Sequence, residues 1–137
     1  MHALKEIWRV LKSAGIVIDL RPISVDVPLL VLTDTGWKSA GLADQSPDRV
    51  HDIAADRAMR LIILDGLFIR VKQKYFDTNN YWDNIKKLKE DMESDWKDDV
   101  IISKGIWREA RRLFKNGSGK KRIRVPFRKK ITVYQKK

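Results

Sequence analysis

The 137-residue sequence predicts one α/β domain over 1–137, with a mixed sheet of about three main strands, a small hairpin and four helices. Three observations predict it. Apolar residues recur at helical spacing in four segments, short β-branched runs separate them, and Gly, Pro and Asp punctuate the joins. At 43% hydrophobic residues the chain can bury a core.

The first helix is expected over 3–12, where Leu4, Ile7, Trp8 and Leu11 share one face. Ser13-Ala14-Gly15 stops it, with Gly15 suited to a left-handed cap. The run from Gly15 to Leu20 is nearly all apolar, the pattern of a strand covered on both faces, and Arg21-Pro22 ends it. Segments 27–32 and 37–42 flank Thr33-Asp34-Thr35-Gly36 and read as a hairpin. Pro28 makes its first strand an edge or an irregular one.

Ser46 is suited to cap a second helix over 48–65, with Pro47 at its first position. Val50, Ile53, Ala54, Ala58, Leu61, Ile62 and Asp65 trace the expected buried side, and Gly66 ends it. Residues 67–76 alternate, with Leu67, Ile69, Val71 and Tyr75 set against Arg70, Lys72 and Lys74, as in a strand with one wet face. A third helix is expected over 78–96 and a fourth over 104–115, capped by Ser103, with Ile106, Ala110, Leu113 and Phe114 inward. Asn116-Gly117-Ser118-Gly119 reads as a turn or linker. A last strand over 122–134 places Ile123, Val125, Phe127, Ile131 and Val133 on one parity, and Pro126 implies a bulge or an edge. The last two strands are expected to be antiparallel neighbours, while the helix returning the chain from Leu20 to Leu67 leaves the sheet mixed.

Composition excludes several chemistries. With no cysteine there is no disulfide scaffold, thiol nucleophile or cysteine zinc site. No apolar run reaches the ~18 residues of a membrane span. The opening Met1-His2-Ala3-Leu4-Lys5-Glu6 is mixed in charge and does not read as a signal peptide, so the expected location is cytoplasmic. The net charge of +11 is concentrated at one end. Residues 104–137 hold 14 Lys or Arg and one acid, Glu109, a net +13, whereas 1–103 hold 15 basic and 17 acidic residues, a net −2. Such a field attracts phosphate polymers or anionic surfaces, with a solvated face as the bland alternative.

Leu4, Glu6, Arg9, Val10, Leu11, Lys12 and Gly15, leading into Ile16-Val17-Ile18-Asp19, carry a resemblance. The stretch resembles the "L-x-E-x-x-R-V-L-K-P-G-G" segment before the fifth strand of class I S-adenosylmethionine-dependent methyltransferases, departing at Ser13 and Ala14. The resemblance implies a Rossmann-like sheet seen from its C-terminal part. Residues 67–76 and 122–134 would then be the sixth strand and the antiparallel seventh, and the helices between them an insertion near the substrate. The family's Gly-rich G-x-G-x-G turn and its ribose-binding acid are not in this sequence. The resemblance therefore implies a C-terminal fragment that holds no cofactor alone and is inactive unless a separate half supplies S-adenosylmethionine. It also implies that the edge from Gly15 to Leu20 lacks its strand partner, inviting a homodimer or a partner chain.

Asp19 and Arg21 end a strand where open α/β sheets place ligands, a rim that in the resembling family faces the methyl acceptor. The alternative is a local ion pair. Trp37 is suited to stack on a planar ligand or simply to pack. Lys120, Lys121, Arg122, Arg124, Arg128, Lys129 and Lys130, with Phe127 and Tyr134 among them, are candidates for weak, non-specific polyanion binding. Charge on an edge strand also discourages aggregation. His51, with Asp52 and Asp56, is a weak metal candidate, and a surface histidine is the plainer reading. The other function class compatible with the sequence is a small basic module contacting nucleic acid or a protein.

Overall fold

The computed structural model describes residues 2–116 and 119–137. The element order is helix α1 (His2–Val10), strand β1 (Ile16–Pro22), β2 (Val27–Thr33), β3 (Gly36–Ala43), a 3-10 turn (Ser46–Asp48), α2 (Arg49–Leu64), β4 (Phe68–Trp82), α3 (Ile85–Asp95), α4 (Lys104–Lys115) and β5 (Ile123–Lys136). The fold is α/β, with four helices and a five-stranded antiparallel sheet among the described residues. Strand order is β1-β5-β2-β3, and β4 also pairs with β5.

The expected mixed sheet is corrected by this order: β1 and β4 both bond to β5 rather than to each other, so no parallel neighbours arise. The hairpin β2-β3 is part of the same sheet, not an addition to it. The turn at 116–119 includes positions 117 and 118, which lie outside the described residues.

The contacts divide into two compact units, and β4 and β5 contribute residues to both. The first comprises Met1–Ile23, Val50–Phe76 and Lys129–Lys137. Its core is Met59, Ile62, Phe68 and Tyr134, with Leu4, Trp8, Leu11, Val17, Ile63 and Leu67 against it. The helical face expected for α1 thus supplies three of its four residues. Lys136 locks the end of α1, donating to the Leu11 carbonyl at 2.7 Å while its ammonium lies 4.4 Å from the Trp8 ring centroid. In the following turn Ala14, not Gly15, takes the left-handed backbone, with φ 57°. Gly15 is required for space: a Cβ there would stand 2.8 Å from the Lys12 carbonyl oxygen.

Strand β1 extends through Arg21 and Pro22, and only one of its faces is covered. Ile16, Ile18 and Leu20 are exposed, so the apolar run does not reflect burial on both sides. Strand β1 pairs antiparallel with β5 from Ile16↔Gln135 to Pro22↔Lys129.

The face of α2 is rotated from the expected one. Met59 and Ile62 are buried while Val50 and Ile53 are 62% and 66% exposed. Asp56, one turn before Met59 and Arg60, is bonded to Arg21 and Lys130, which fixes that side of the helix on the sheet. Ser46 does not cap α2; it opens the 3-10 turn, and its N–H donates to Asp44 Oδ1 at 2.8 Å. That bond, together with the Ser46 side chain, holds the Asp44 carboxyl below the usual carboxylate range.

The second unit comprises Ser24–Arg49 and Asp77–Arg128. Its core gathers Val27, Leu29 and Val31 of β2, Ala40 and Ala43 of β3, Trp82, Leu88 and Met92, Ala110 and Leu113, and Ile123 and Val125 of β5. Thr33 and Gly36 close the hairpin as a pair, with Gly36 at φ 107°, a backbone glycine reaches without strain. Pro28 marks an irregular strand as expected, since the register of β2 on β3 shifts between Pro28 and Leu30. The helix expected to start at Thr78 starts instead at Ile85, where Asn84 Oδ1 accepts from the Lys87 N–H at 2.9 Å. Strand β4 runs on to Trp82, whose indole enters the core and donates to Asp91 Oδ2 at 2.7 Å. Ser103 caps α4 as expected, accepting from the Ile106 N–H.

Two burial patterns depart from the sequence reading. Between Phe68 and Trp82, strand β4 is exposed on both parities through residue 77, so its alternating apolar residues do not mark a buried face. In β5, Ile123 and Val125 are buried, but farther on Lys130, Thr132 and Tyr134 are. The strand serves one core with odd positions and the other with even ones, so a single parity over 123–133 does not hold.

Candidate functional site

A cleft of about 550 Å³ lies within the first unit. Helix α2 lines it with Asp56, Met59, Arg60 and Ile63, whose i, i+3, i+4, i+7 spacing presents them on one face. Strand β4 adds Arg70, Gln73 and Tyr75, and β5 adds Lys130 and Tyr134 from its even parity. Asp19 and Arg21, two apart on β1, project to the same side.

Asp56 organises the charges. Its Oδ1 accepts from Arg21 Nη2 and from Lys130 Nζ, each at 2.5 Å, and Arg21 Nε donates to Asp19 Oδ2 at 3.1 Å. Burial opposes ionisation of Asp56, but the hydrogen bonds from Lys130 and Arg21 outweigh it and hold the carboxyl below its ordinary value. Burial pushes the Tyr134 hydroxyl up, and the charge of Asp19 adds to the effect, so it stays a protonated donor. Gln73 links the sheet to Tyr75: its amide donates to Tyr75 Oη at 2.9 Å, and Thr132 Oγ1 donates to its Oε1 at 3.4 Å.

Arg60 and Arg70 line the cleft without an ion pair among the described residues. Arg21 Nη1 is buried without a hydrogen-bond partner. With Asp56 engaged by two cations, the cleft is cationic and rich in donors. It is built to hold a polar or anionic group rather than to abstract a proton.

The sequence candidates separate. Asp19, Arg21 and Lys130 meet at this network. Lys130 is buried and committed to Asp56, unlike Lys120, which is exposed. Trp37 belongs to the second unit, where Arg124 stacks on it with its guanidinium carbon 4.5 Å from the ring centroid. Arg122 stacks likewise on Tyr81 at 4.4 Å, and the two rings lie 6.3 Å apart. Arg128 pairs with Asp77 at 3.4 Å, and Lys121 Nζ donates to the Asn116 carbonyl. Lys129, opposite Pro22, remains half-buried.

Sequence reasoning missed Arg60, Arg70, Gln73, Tyr75 and Tyr81 as site residues. The helical spacing of Asp56, Met59, Arg60 and Ile63 was an available signal, but it requires knowing which face of α2 is inward. Among the described residues no three His, Cys, Asp or Glu side chains converge as a metal site would need, and no helix is long and apolar enough to cross a membrane. No family model, curated protein or solved structure matches the chain.

Proposed function

We propose that the chain is the C-terminal, acceptor-side part of a methyltransferase-like fold, inactive alone and completed by a separate cofactor-binding half. The observation that carries the reading is the succession of α1, its turn and β1, followed by β4 and a β5 that runs antiparallel to it. This is the order the resembling family has around its fifth, sixth and seventh strands. Arg21, next to the C-terminal end of β1, reaches the cleft through Asp56, while Asp19 at mid-strand holds its guanidinium, which suits an acceptor-holding rim. A cytoplasmic location belongs to the same proposal.

The residues present do not fit S-adenosylmethionine. A Gly-rich cradle needs backbone open to the ligand. Gly41 instead faces Ile106, whose Cγ1 would stand 2.7 Å from a Cβ added there, and Gly15 faces the Lys12 carbonyl. The open Gly36 and Gly66 each stand alone in a turn without the G-x-G-x-G spacing. The acceptor side alone is therefore assigned to this chain. Calorimetry of the isolated chain against S-adenosylmethionine tests the reading. No measurable affinity is expected, and micromolar binding overturns it.

The charge of residues 104–137 supports a second reading, a small basic module that binds polyanions weakly and without sequence preference.

A further inference from the structure

We propose that the second unit carries a stacking surface for single-stranded nucleic acid, formed by Trp37, Tyr81, Arg122 and Arg124. This goes beyond the polyanion reading, because it requires a planar base as well as a phosphate. The core of this unit takes Val27, Leu29 and Val31 of β2 and Ile123 and Val125 of β5 to one side. Alternation puts Leu30, Leu32, Arg122 and Arg124 on the other. The pairings Leu32↔Trp37 and Leu30↔Arg124 bring β3 and β5 into the same face.

On that face the two guanidinium carbons lie over the two rings, 4.4 Å from the Tyr81 centroid and 4.5 Å from that of Trp37. Neither arginine has an ion pair among the described residues, and the Nε atom of each is buried without a hydrogen-bond partner. Two uncompensated cations are thus held over rings that remain partly exposed, Tyr81 at 43%. A stacked guanidinium keeps its Nη edge for phosphate, and ring and guanidinium planes both accept a base face. A duplex hides those base faces; a single strand offers them together with its charge. Charge complementarity and stacking together select the single strand over a protein or a lipid surface.

The test compares a short fluorescein-labelled oligouridylate, the same sequence as a duplex, and heparin, which has charge without bases. The oligouridylate should bind more tightly than the duplex. Arg122→Lys with Arg124→Lys keeps the charge and removes the planes, so oligouridylate affinity should fall about tenfold while heparin affinity stays. Equal binding of duplex and single strand, or an unchanged or parallel response of oligouridylate and heparin, overturns the proposal. A measurement on the unaltered chain guards against misfolding of the variant. Photocrosslinking with 5-iodouridine in the oligomer should give adducts at Trp37 or Tyr81, and adducts confined to Lys120 and Lys121 overturn it. None of these readouts involves the cleft or S-adenosylmethionine, so its failure leaves the methyltransferase-like reading standing.

Discussion

Lys130 Nζ stands 2.5 Å from Asp56 Oδ1 with its side chain 8% exposed, so a buried ammonium depends on a carboxylate that also serves Arg21. Asp56→Asn keeps the shape, leaves Lys130 without its charge partner and leaves Arg21 with Asp19 alone. The expected loss is about 1–2 kcal/mol, below the cost for a fully buried pair because Asp56 is half in solvent. Urea denaturation at neutral pH measures it. The folded carboxyl titrates below its unfolded value of about 3.9. Its contribution is therefore present above that value and is lost as pH falls through the folded pKa. The gap between wild type and Asp56→Asn should close in acid, and a gap that widens there contradicts the assignment.

Two glycines separate backbone strain from crowding. Gly36 and Gly41 have φ 107° and 138°, but a Cβ meets nothing within 4 Å at Gly36 and Ile106 Cγ1 at 2.7 Å at Gly41. Gly36→Ala should cost about 1–2 kcal/mol from the backbone alone. Gly41→Ala should cost about 1–3 kcal/mol more, because α4 is pressed against β3 there. Adding Ile106→Ala to Gly41→Ala should recover part of that excess, and strictly additive losses in the thermal unfolding of the double variant would exclude the contact as its cause.

Most elements were legible because local chemistry agrees with their surroundings. Ser103 caps α4, Gly36 closes the hairpin, and Leu4, Trp8 and Leu11 face the core as their spacing implies. Errors arose where a long-range partner decides. The inward face of α2 is set by Asp56 meeting Arg21 and Lys130, residues 35 and 74 positions away, which no periodicity encodes. The end of β4 is set by Trp82 entering a core, against a helical pattern that Tyr81, Ile85 and Leu88 equally satisfy. In β5 the switch of buried parity needs two cores to explain it. Of the site, the charges of Asp19, Arg21 and the basic strand were legible, but which cations are buried, stacked or free depends on the fold.

The basic end should respond to salt as a counterion-release surface. Lys120 is exposed and unpaired among the described residues, while Lys130 is bonded to Asp56. Binding to heparin should weaken linearly in log affinity against log salt. Lys120→Ala should lower the slope by about 1, and Lys130→Met should leave it unchanged. Filter-binding titrations across salt concentrations measure both slopes, and a larger change from Lys130→Met would mean that its amine is free in solution.

The chain should associate through β1. Ile18 stands opposite Val133 across the β1-β5 ladder, yet Ile16, Ile18 and Leu20 are 55%, 58% and 59% exposed. Residues 2–20 do not fold back over them, since α1 places Leu4, Trp8 and Leu11 on the core of Met59, Ile62, Phe68 and Tyr134. Strand β1 also ends the sheet order, so among the described residues its second edge has no strand partner and presents backbone N–H and carbonyl groups beside the bare apolar row. Burial of that row stabilises by about 25 cal/mol per Å², a few kcal/mol if a second surface covers all three side chains. A second copy of the chain or the proposed cofactor-binding half would each provide one. Sedimentation at micromolar concentration should show a dimer or larger species in the isolated chain. Ile18→Lys should shift it to monomer, because the charge must be desolvated at the contact, while leaving thermal stability of the monomer little changed at an already exposed site. A wild-type chain that stays monomeric, with slow amide exchange over residues 16–20, would show that this edge is satisfied within one molecule.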